Sequence, residues 1–402
     1  MRDHDLDHDL MIVGGGLVGS ALGLALAAAG LRVAVVEPHP PVPLAAGAAD
    51  WDPRVYALSP GSRAWLESLG AWAQLLDGRT GIIDAMQVHG DDPRARLDFD
   101  SYSDGLPALA YTVEHRALQT ALWSCVQARA AAVDSGLSVY AEATPAALAI
   151  GDAAAELQLA DGRRLRAALV IGADGLQSWT RTAAGLAATV EPYGQQALLA
   201  NFATAHAHRG VARQWFRADG VLALLPMPGD RVSAVWSIAD AEAARLTALS
   251  PASFAEAVRE AAHDALGELT PLAPVQPPRA VPLALVRVPR LVAPRVALAG
   301  DAAHGVHPLA GQGVNLGFRD AQVLAAVLAD REPGRDLGDL PLLRRYERAR
   351  REDIWATQFV TDGLARLFAK EDAVLARLRN AGLAAVNRVA PLKRLLGARA
   401  VA

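Results

Sequence analysis

The sequence predicts an α/β fold: a Rossmann-like domain on a parallel sheet, interleaved with a second domain of antiparallel strands and followed by a helical C-terminal region. Three observations predict it. Residues 10–13, 17–29 and 32–36 read as buried strand, helix and buried strand, with Gly30 where a helix C-terminal glycine belongs. Two further apolar strands, 169–171 and 295–299, each deliver an aspartate into a glycine-containing loop, as strands of a sheet covered on both faces do. From 197 to 238 the pattern changes to short strand-like runs parted by turn residues.

The elements follow in order. Pro38 to Pro43 marks a loop, and 60–69 reads as a helix with Ser59 as its cap. The stretch 78–105 is rich in Asp, Gly and Pro and reads as short strands in an excursion. A helix spans 114–132; strands at 137–141, 156–159 and 164–166 surround the turn Asp161-Gly162. Strand runs 198–204, 213–216, 223–225 and 231–237 form the antiparallel sheet, with Pro226, Pro228, Gly229 and Asp230 as a turn. Helices are expected at 253–266 and 314–328, and nearly everything after Leu342 reads as helix. The resulting division puts 1–80, 111–190 and 290–345 in the discontinuous nucleotide domain, 81–110 and 191–289 in the substrate domain, and 346–402 in C-terminal helices.

Composition bounds the function. With 402 residues, 52% of them hydrophobic, the chain buries a core large enough for two or three domains. A net charge of −4 argues against a nucleic-acid partner. The single cysteine, Cys125, excludes a disulfide framework within the chain and fits a reducing cytoplasm; it reads as a small buried hydrophobe. The ten histidines form no HExxH or Cys/His cluster, so no metal is expected. Residues 10–31 carry no charge, which is long enough for a membrane span. That reading fails on Gly14, Gly15, Gly16 and Gly19, and on the preceding Asp3, Asp5, Asp7 and Asp9 where a basic region would stand. A soluble protein is expected.

Three motifs carry chemistry. Gly14-Gly15-Gly16-Leu17-Val18-Gly19 is a GxGxxG at a strand-to-helix turn. Gly14 permits the tight turn, Gly16 lets backbone approach a pyrophosphate, and Gly19 allows close helix packing. Glu37, ending the second strand, is placed to accept from a ribose. The second motif runs from Gly172-Ala173-Asp174-Gly175 to Ser178 and Arg181. The third runs from Gly300-Asp301-Ala302-Ala303-His304 to His307-Pro308-Leu309-Ala310-Gly311-Gln312-Gly313-Val314-Asn315. Asp301 suits a hydroxyl of a ribityl chain, which FAD has and NAD lacks. A helix N-terminus near Val314 and Asn315 would favour the negative N1–C2=O edge of a reduced flavin by roughly 0.3–2 kcal/mol.

Together these motifs resemble the class A flavoprotein aromatic hydroxylases. With Asp52-Pro53-Arg54-Val55-Tyr56-Ala57-Leu58-Ser59 they resemble the ubiquinone-biosynthesis hydroxylases (the UbiH/UbiI/UbiF type). The likeness runs from about residue 8 to the C-terminus, including Ala212-Arg213-Gln214-Trp215-Phe216 and 343–348. It implies that Gly14, Gly16, Leu17, Val18, Gly19 and Glu37 hold the ADP half of tightly bound FAD, with Arg54 approaching the cofactor. It places Asp174 at both FAD and a transient NAD(P)H, Gly300 and Asp301 at the ribityl or pyrophosphate region, and Pro308, Gly311, Gly313, Val314 and Asn315 around the flavin ring. It departs at His115, where class A enzymes usually place Arg and the ubiquinone group often Asn.

The implied reaction is hydroxylation of a polyprenylated phenol or quinol by a flavin C4a-hydroperoxide, formed after NAD(P)H reduces FAD and O2 reacts. No catalytic triad is expected, and His307, Pro308, Arg213 and Trp215 are the candidate lining of the active site. His304 and His307 read as bases or as structural loop residues. Arg213 and Trp215 share a strand face, as pocket lining or as an exposed arginine beside a packed tryptophan. The arginines of 375–402 suggest contact with a membrane surface or biosynthetic partner, or else a solvated face. The expected location is the cytoplasm, or peripherally the inner face of the membrane. Two other functions stay open: a hydroxylase of a small soluble aromatic acid, with an arginine fixed against the substrate carboxylate, and a non-redox prenyl-binding protein. A flavin-dependent halogenase is disfavoured, since Val235-Trp236-Ser237-Ile238 lacks the WxWxIP pattern.

Overall fold

A computed structural model describes residues 6–44, 50–90, 95–103, 105–273, 277–308 and 311–368 of the chain. Leu309, Ala310 and the arginine-bearing segment 375–402 lie outside the described residues.

The fold is α/β. Its parallel sheet has the spatial order Val296–Leu298, Arg164–Gly172, His8–Val13, Val33–Glu37, Leu137–Ala141. Both faces are covered: Leu10 and Ile12 enter one core while Met11 and Val13 enter another. That two-sided burial explains the unbroken apolar runs in the sequence. The helix Leu17–Ala28 crosses from the first strand to the second, and Gln312–Ala329 packs beside it.

A second sheet runs Arg279–Arg287, Thr189–Thr204, Arg231–Ala239, Gly220–Met227, Val211–Arg217, Ala85–His89, Arg96–Asp100. It is antiparallel except where Ala85–His89 lies parallel to Val211–Arg217. One face packs on the helices Asp240–Thr247 and Pro251–Ala261, around Phe202, Trp215, Trp236 and Phe254. The excursion after residue 78 divides between sheets. Thr80–Ile83 pairs with Ala110–Glu114, which also pairs with Val55–Leu58, while the next two strands extend the large sheet.

Several sequence expectations need correction. The runs 164–166 and 169–171 are one strand, Arg164–Gly172, whose first residues alternate with solvent and whose later ones are buried on both faces. Pro226 sits inside the strand Gly220–Met227, not in the turn. The strand Arg279–Arg287 was unforeseen because Pro282 interrupts it; it is accommodated where Thr189–Thr204 shifts register between Pro192 and Gln196. Helix limits differ modestly: Ser59 caps Pro60–Ser68 by accepting from the Ser62 amide, and the expected 253–266 helix is Pro251–Ala261, capped by Ser250.

The first strand and its helix meet without room for a side chain at Gly19. A Cβ there would stand 1.8 Å from the Gly14 carbonyl oxygen. Gly19→Ala must therefore part strand from helix, at a cost of about 1–3 kcal/mol. Denaturant titration of the flavin-depleted protein is expected to show the lowered midpoint; an unaltered midpoint contradicts the packing argument.

Candidate flavin and substrate site

The three motifs converge because the parallel strands bearing them are neighbours, with carboxyl ends on one edge of the sheet. Gly14 has φ +103°, and a Cβ on it would lie 2.5 Å from the Ala173 carbonyl oxygen. The first and second motifs therefore touch through bare backbone. Gly16 is different: a Cβ there meets nothing within 4 Å, so its surface is left to a ligand. It is the N-cap of Leu17–Ala28 and has no side-chain cap, so the helix amides remain available to an anion. Glu37 is held in place by the amides of Gly15 at 2.6 Å and His39 at 2.7 Å.

The second and third motifs are tied by side chains. Asp174 accepts from the Ser178 hydroxyl at 2.5 Å and from the Thr180 amide and hydroxyl at 2.8 and 2.9 Å, fixing its own turn. Buried Arg181 donates to the Leu176 and Ala302 carbonyls at 2.8 and 2.9 Å, joining the two loops. Beneath the third motif, wholly buried Asp320 accepts from the Gly300 amide at 2.9 Å, His304 Nε2 at 2.5 Å and Arg350 Nε at 2.7 Å. Burial opposes its charge, but His304 and Arg350 outweigh that and hold its carboxyl below the usual range. His304 is thereby engaged with Asp320 and does not line the cavity.

Opposite stands the segment bearing Arg54. Asp52 accepts from the Arg54 amide at 2.9 Å, and its own amide donates to Glu114 at 2.6 Å. Glu114 makes a buried pair with Arg79 at 2.8 Å. His115 Nδ1 lies 3.1 Å from the Tyr56 hydroxyl, and burial, then Arg54, pushes the imidazole down to about 4. Burial also lifts the Tyr56 hydroxyl well above its ordinary range. Both side chains are neutral at pH 7.

Between these walls lies a continuous cavity of about 830 Å³. It is lined by Gly14, Gly16, Leu17, Val18 and Glu37 around the first motif, by Asp174 of the second, by Arg54 and His115, and by Asp301, Pro308, Gly311, Gly313 and Val314 of the third. The nucleotide and flavin corners therefore open into one space, as a single dinucleotide requires. Asp301 faces it with a carboxyl that burial pushes up, against the pull of His304 and Arg54. Gly311 reaches φ +63° at the start of Gln312–Ala329, whose first turn borders the cavity. These features suit FAD: bare backbone for phosphates, carboxylates for hydroxyls and a helix start at the ring.

Several expected residues do not line the cavity. Gly19 packs the helix. Gly300 donates to Asp320 and abuts Val18. Buried Asn315 accepts from the Ser59 amide at 2.9 Å and donates to the Ala57 carbonyl at 2.8 Å, clamping the flavin-side helix to the Tyr56 strand. His307 turns away from the cavity, with Nε2 3.2 Å from Gln195 Oε1 and its ring edge-on to Tyr193. Trp215 enters the second core and stacks on His89, 5.5 Å between centroids. Arg213 touches the cavity but shares its register row with Leu224 of that same core. Alternation holds, and the pair divides: Arg213 borders the cavity while Trp215 is packed into the core. Ala212 and Gln214 occupy the cavity side, beside Ala223, Val235 and Leu199.

Among the described residues no group of three or more His, Cys, Asp or Glu is placed to hold a metal ion, and no helix is long and apolar enough to cross a membrane.

A family model described as an FAD binding domain matches residues 7–360. The chain is 37% identical to the ubiquinone hydroxylase UbiL of Rhodospirillum rubrum, over 96% of this chain and 88% of that one. It is 35% identical to the 3-demethoxyubiquinol 3-hydroxylase of Escherichia coli, over 96% of both. It is also 35% identical to the mitochondrial ubiquinone biosynthesis monooxygenase COQ6 of Rattus norvegicus, over 97% of this chain and 90% of that one. Among solved structures, Pseudomonas aeruginosa PqsL superposes with a TM-score of 0.76 at 25% identity, over 94% of this chain and 99% of that one. The p-nitrophenol 4-monooxygenase PnpA of Pseudomonas putida shares the fold, with a TM-score of 0.75 at 18% identity and 98% of both chains covered.

The buried histidines set an acid limit. His115 and His307 are both pushed down to about 4, by burial first, whereas the unfolded chain protonates them near 6.5. The unfolded state thus binds protons that the native state refuses. Stability is unaffected above pH 6.5 and falls from there towards pH 4, by up to roughly 3 kcal/mol per histidine. Denaturant titrations at pH 7.5 and 5 should show that fall, and His307→Phe should reduce it. A fall of the same size in that variant would exclude His307 as a source.

Proposed function

The chain belongs to the FAD-binding-domain family and is an FAD-dependent aromatic hydroxylase, and from that premise we propose that its substrate is a polyprenylated phenol or quinol of ubiquinone biosynthesis. The observation that carries the substrate reading is the apolar wall facing the flavin corner. Met86, Phe99, Leu199, Leu225, Val235 and Leu283 line it. Such a wall suits a hydrocarbon-bearing ring and excludes water. A small aromatic acid would call for an arginine fixed against its carboxylate; Arg54 and Arg213 border the cavity, so that reading keeps a candidate, and the extent of the apolar wall favours the hydrocarbon-bearing ring. The names of the relatives, each a hydroxylase or monooxygenase acting on ubiquinone or its precursors, support the same reading.

In this reading the nucleotide domain is assembled from 1–80, 111–190 and 290–345, with 81–110 and 191–289 forming the substrate domain. Gly14, Gly16 and the following helix amides hold the pyrophosphate, Glu37 a ribose, and Asp301 the ribityl hydroxyls. The first turn of Gln312–Ala329 offers its amides to the flavin ring, beside Pro308 and Gly311. FAD held there would supply the redox chemistry, with two electrons drawn from transiently docked NAD(P)H and O2 divided between the ring and water. Neutral Tyr56 and His115 present hydrogen bonds there without adding charge, while Arg54 supplies a fixed positive one.

Contact with a bilayer is part of the same proposal. On Leu340–Phe368, residues Arg344, Arg348, Arg351, Trp355 and Phe359 recur at spacings of four, three, four and four, and all are exposed. Trp355 and Phe359 are stacked and 62% and 64% exposed. Arginines beside exposed aromatics on one helix face suit an anionic lipid surface.

Two measurements test this function. The purified protein is expected to be yellow, to bleach with NAD(P)H in the absence of oxygen, and to place one 18O atom from 18O2 into a prenylated phenol. A protein that stays colourless with added FAD would favour the carrier reading. Asp301→Ala should raise the dissociation constant for FAD at least tenfold, and an unchanged constant would remove Asp301 from the site. For the bilayer contact, sedimentation with vesicles containing phosphatidylglycerol should exceed that with neutral phosphatidylcholine and fall in Trp355→Ser/Phe359→Ser. Equal sedimentation of the two proteins would refute the assigned face.

A further inference from the structure

The strand Val211–Arg217 brings two polar side chains, Arg213 and Gln214, to a wall otherwise built of apolar residues. Gln214 lies in the middle of Val211–Arg217, is only 4% exposed, and lines the cavity. Its register row runs across the sheet through Ala223, Val235 and Leu199, three apolar residues that also line the cavity. The flanking cavity-side residue is Ala212, and the next on that face, Phe216, enters a small core with Val88 and Val221. The opposite face, with Trp215 and Leu224, belongs to the second core. A glutamine amide has two donors and an acceptor. Among the described residues, the hydrogen bonds of the structure engage none of them.

We propose that Gln214 is a positioning residue: its amide holds an oxygen substituent of the substrate ring and so decides which ring carbon faces the flavin. The proposal rests on the substrate reading above and deepens it. A polyprenyl chain is hydrocarbon, so the only atoms of such a substrate able to satisfy Gln214 are on the ring. The amide therefore admits the ring at its own depth in the cavity and leaves the tail to Met86, Phe99 and their apolar neighbours. Being neutral, it accepts from a phenol or donates to a carbonyl or phenolate, and it does not select for a carboxylate. The amide makes no bond within the protein and opens on the cavity, so a ligand that fills the cavity either pairs with it or leaves it unpaired. A ring oxygen that pairs with it therefore counts for more than it would at an exposed site.

The test uses the FAD-loaded full chain, with 2-decylphenol and decylbenzene as probes, and reads binding from the visible absorption of the flavin. Wild type is expected to prefer the phenol by about tenfold or more. In Gln214→Leu, and in Gln214→Met, which follows the glutamine shape more closely, that preference should fall to about twofold. The thermal midpoint of the ligand-free protein should be unchanged or higher, because the amide makes no hydrogen bond within the protein to lose. With the phenol present, a larger share of the NAD(P)H consumed should appear as hydrogen peroxide. Variants that keep the wild-type preference overturn the proposal. So do variants that lose both probes equally with a lowered midpoint, since that marks a structural residue. If wild type binds neither probe, the substrate reading falls and this proposal with it, an outcome distinct from a preference that survives substitution.

Discussion

Asp320 is the joint on which the cofactor corner depends. It is wholly buried and charged, and its two oxygens meet the Gly300 amide, His304 and Arg350, which come from the 3-10 turn Gly300–Ala302, the short strand His304–Gly305 and the helix Leu340–Phe368. A carboxylate in such a place is tolerable only when every partner is present, and removing one leaves an uncompensated charge at a cost of about 3–5 kcal/mol. Arg350 also engages Asp353, which in turn engages Arg319, so the arrangement reaches the surface in steps. The loop that bears Asp301 therefore cannot shift without disturbing the terminal helix. Asp301 itself is free to face the cavity because its neighbours are so tightly fixed.

The Arg54 wall repeats that logic with a different pair. Arg79 and Glu114 are 6% and 1% exposed, and Glu114 also takes the Asp52 amide. Asn201, from the large antiparallel sheet, donates to the Asp52 carbonyl at 2.9 Å, and the Thr112 hydroxyl donates to the Pro226 carbonyl at 2.6 Å. These bonds tie the loop before Arg54 and the small three-stranded sheet to the large one. They set the distance between the cofactor corner and the apolar wall, which is the dimension a reacting ring must match.

Fixed polar joints and an unfixed interior thus divide the work. The joints are saturated: Asn315 has both amide atoms occupied, Asp174 serves its own turn, and Arg181 caps two carbonyls. The groups that border the cavity with capacity left include Asp301, Arg54, Gln214 and the amides at the start of two helices. That contrast separates residues that build the site from residues that meet a ligand, though both kinds occupy the same motifs.

The sequence by itself determined the strand–turn–helix corners, because their signals are local. Hydrophobic period, a glycine that must take φ +103° at position 14, and an acidic residue ending a strand all act within a few residues of each other. It determined the parallel sheet for the same reason, since strands buried on both faces read as continuous apolar runs. The tertiary structure alone decided which face of Val211–Arg217 meets the cavity. Alternation says that Arg213 and Trp215 point together, and says nothing about where. It likewise decided that His307 and Asn315, embedded in a cofactor motif, turn towards protein rather than the cavity, and that the Pro282 strand joins the large antiparallel sheet. Those outcomes depend on partners some hundred or more residues distant, Gln195 for His307 and Ser59 for Asn315, and no local pattern encodes such a partner.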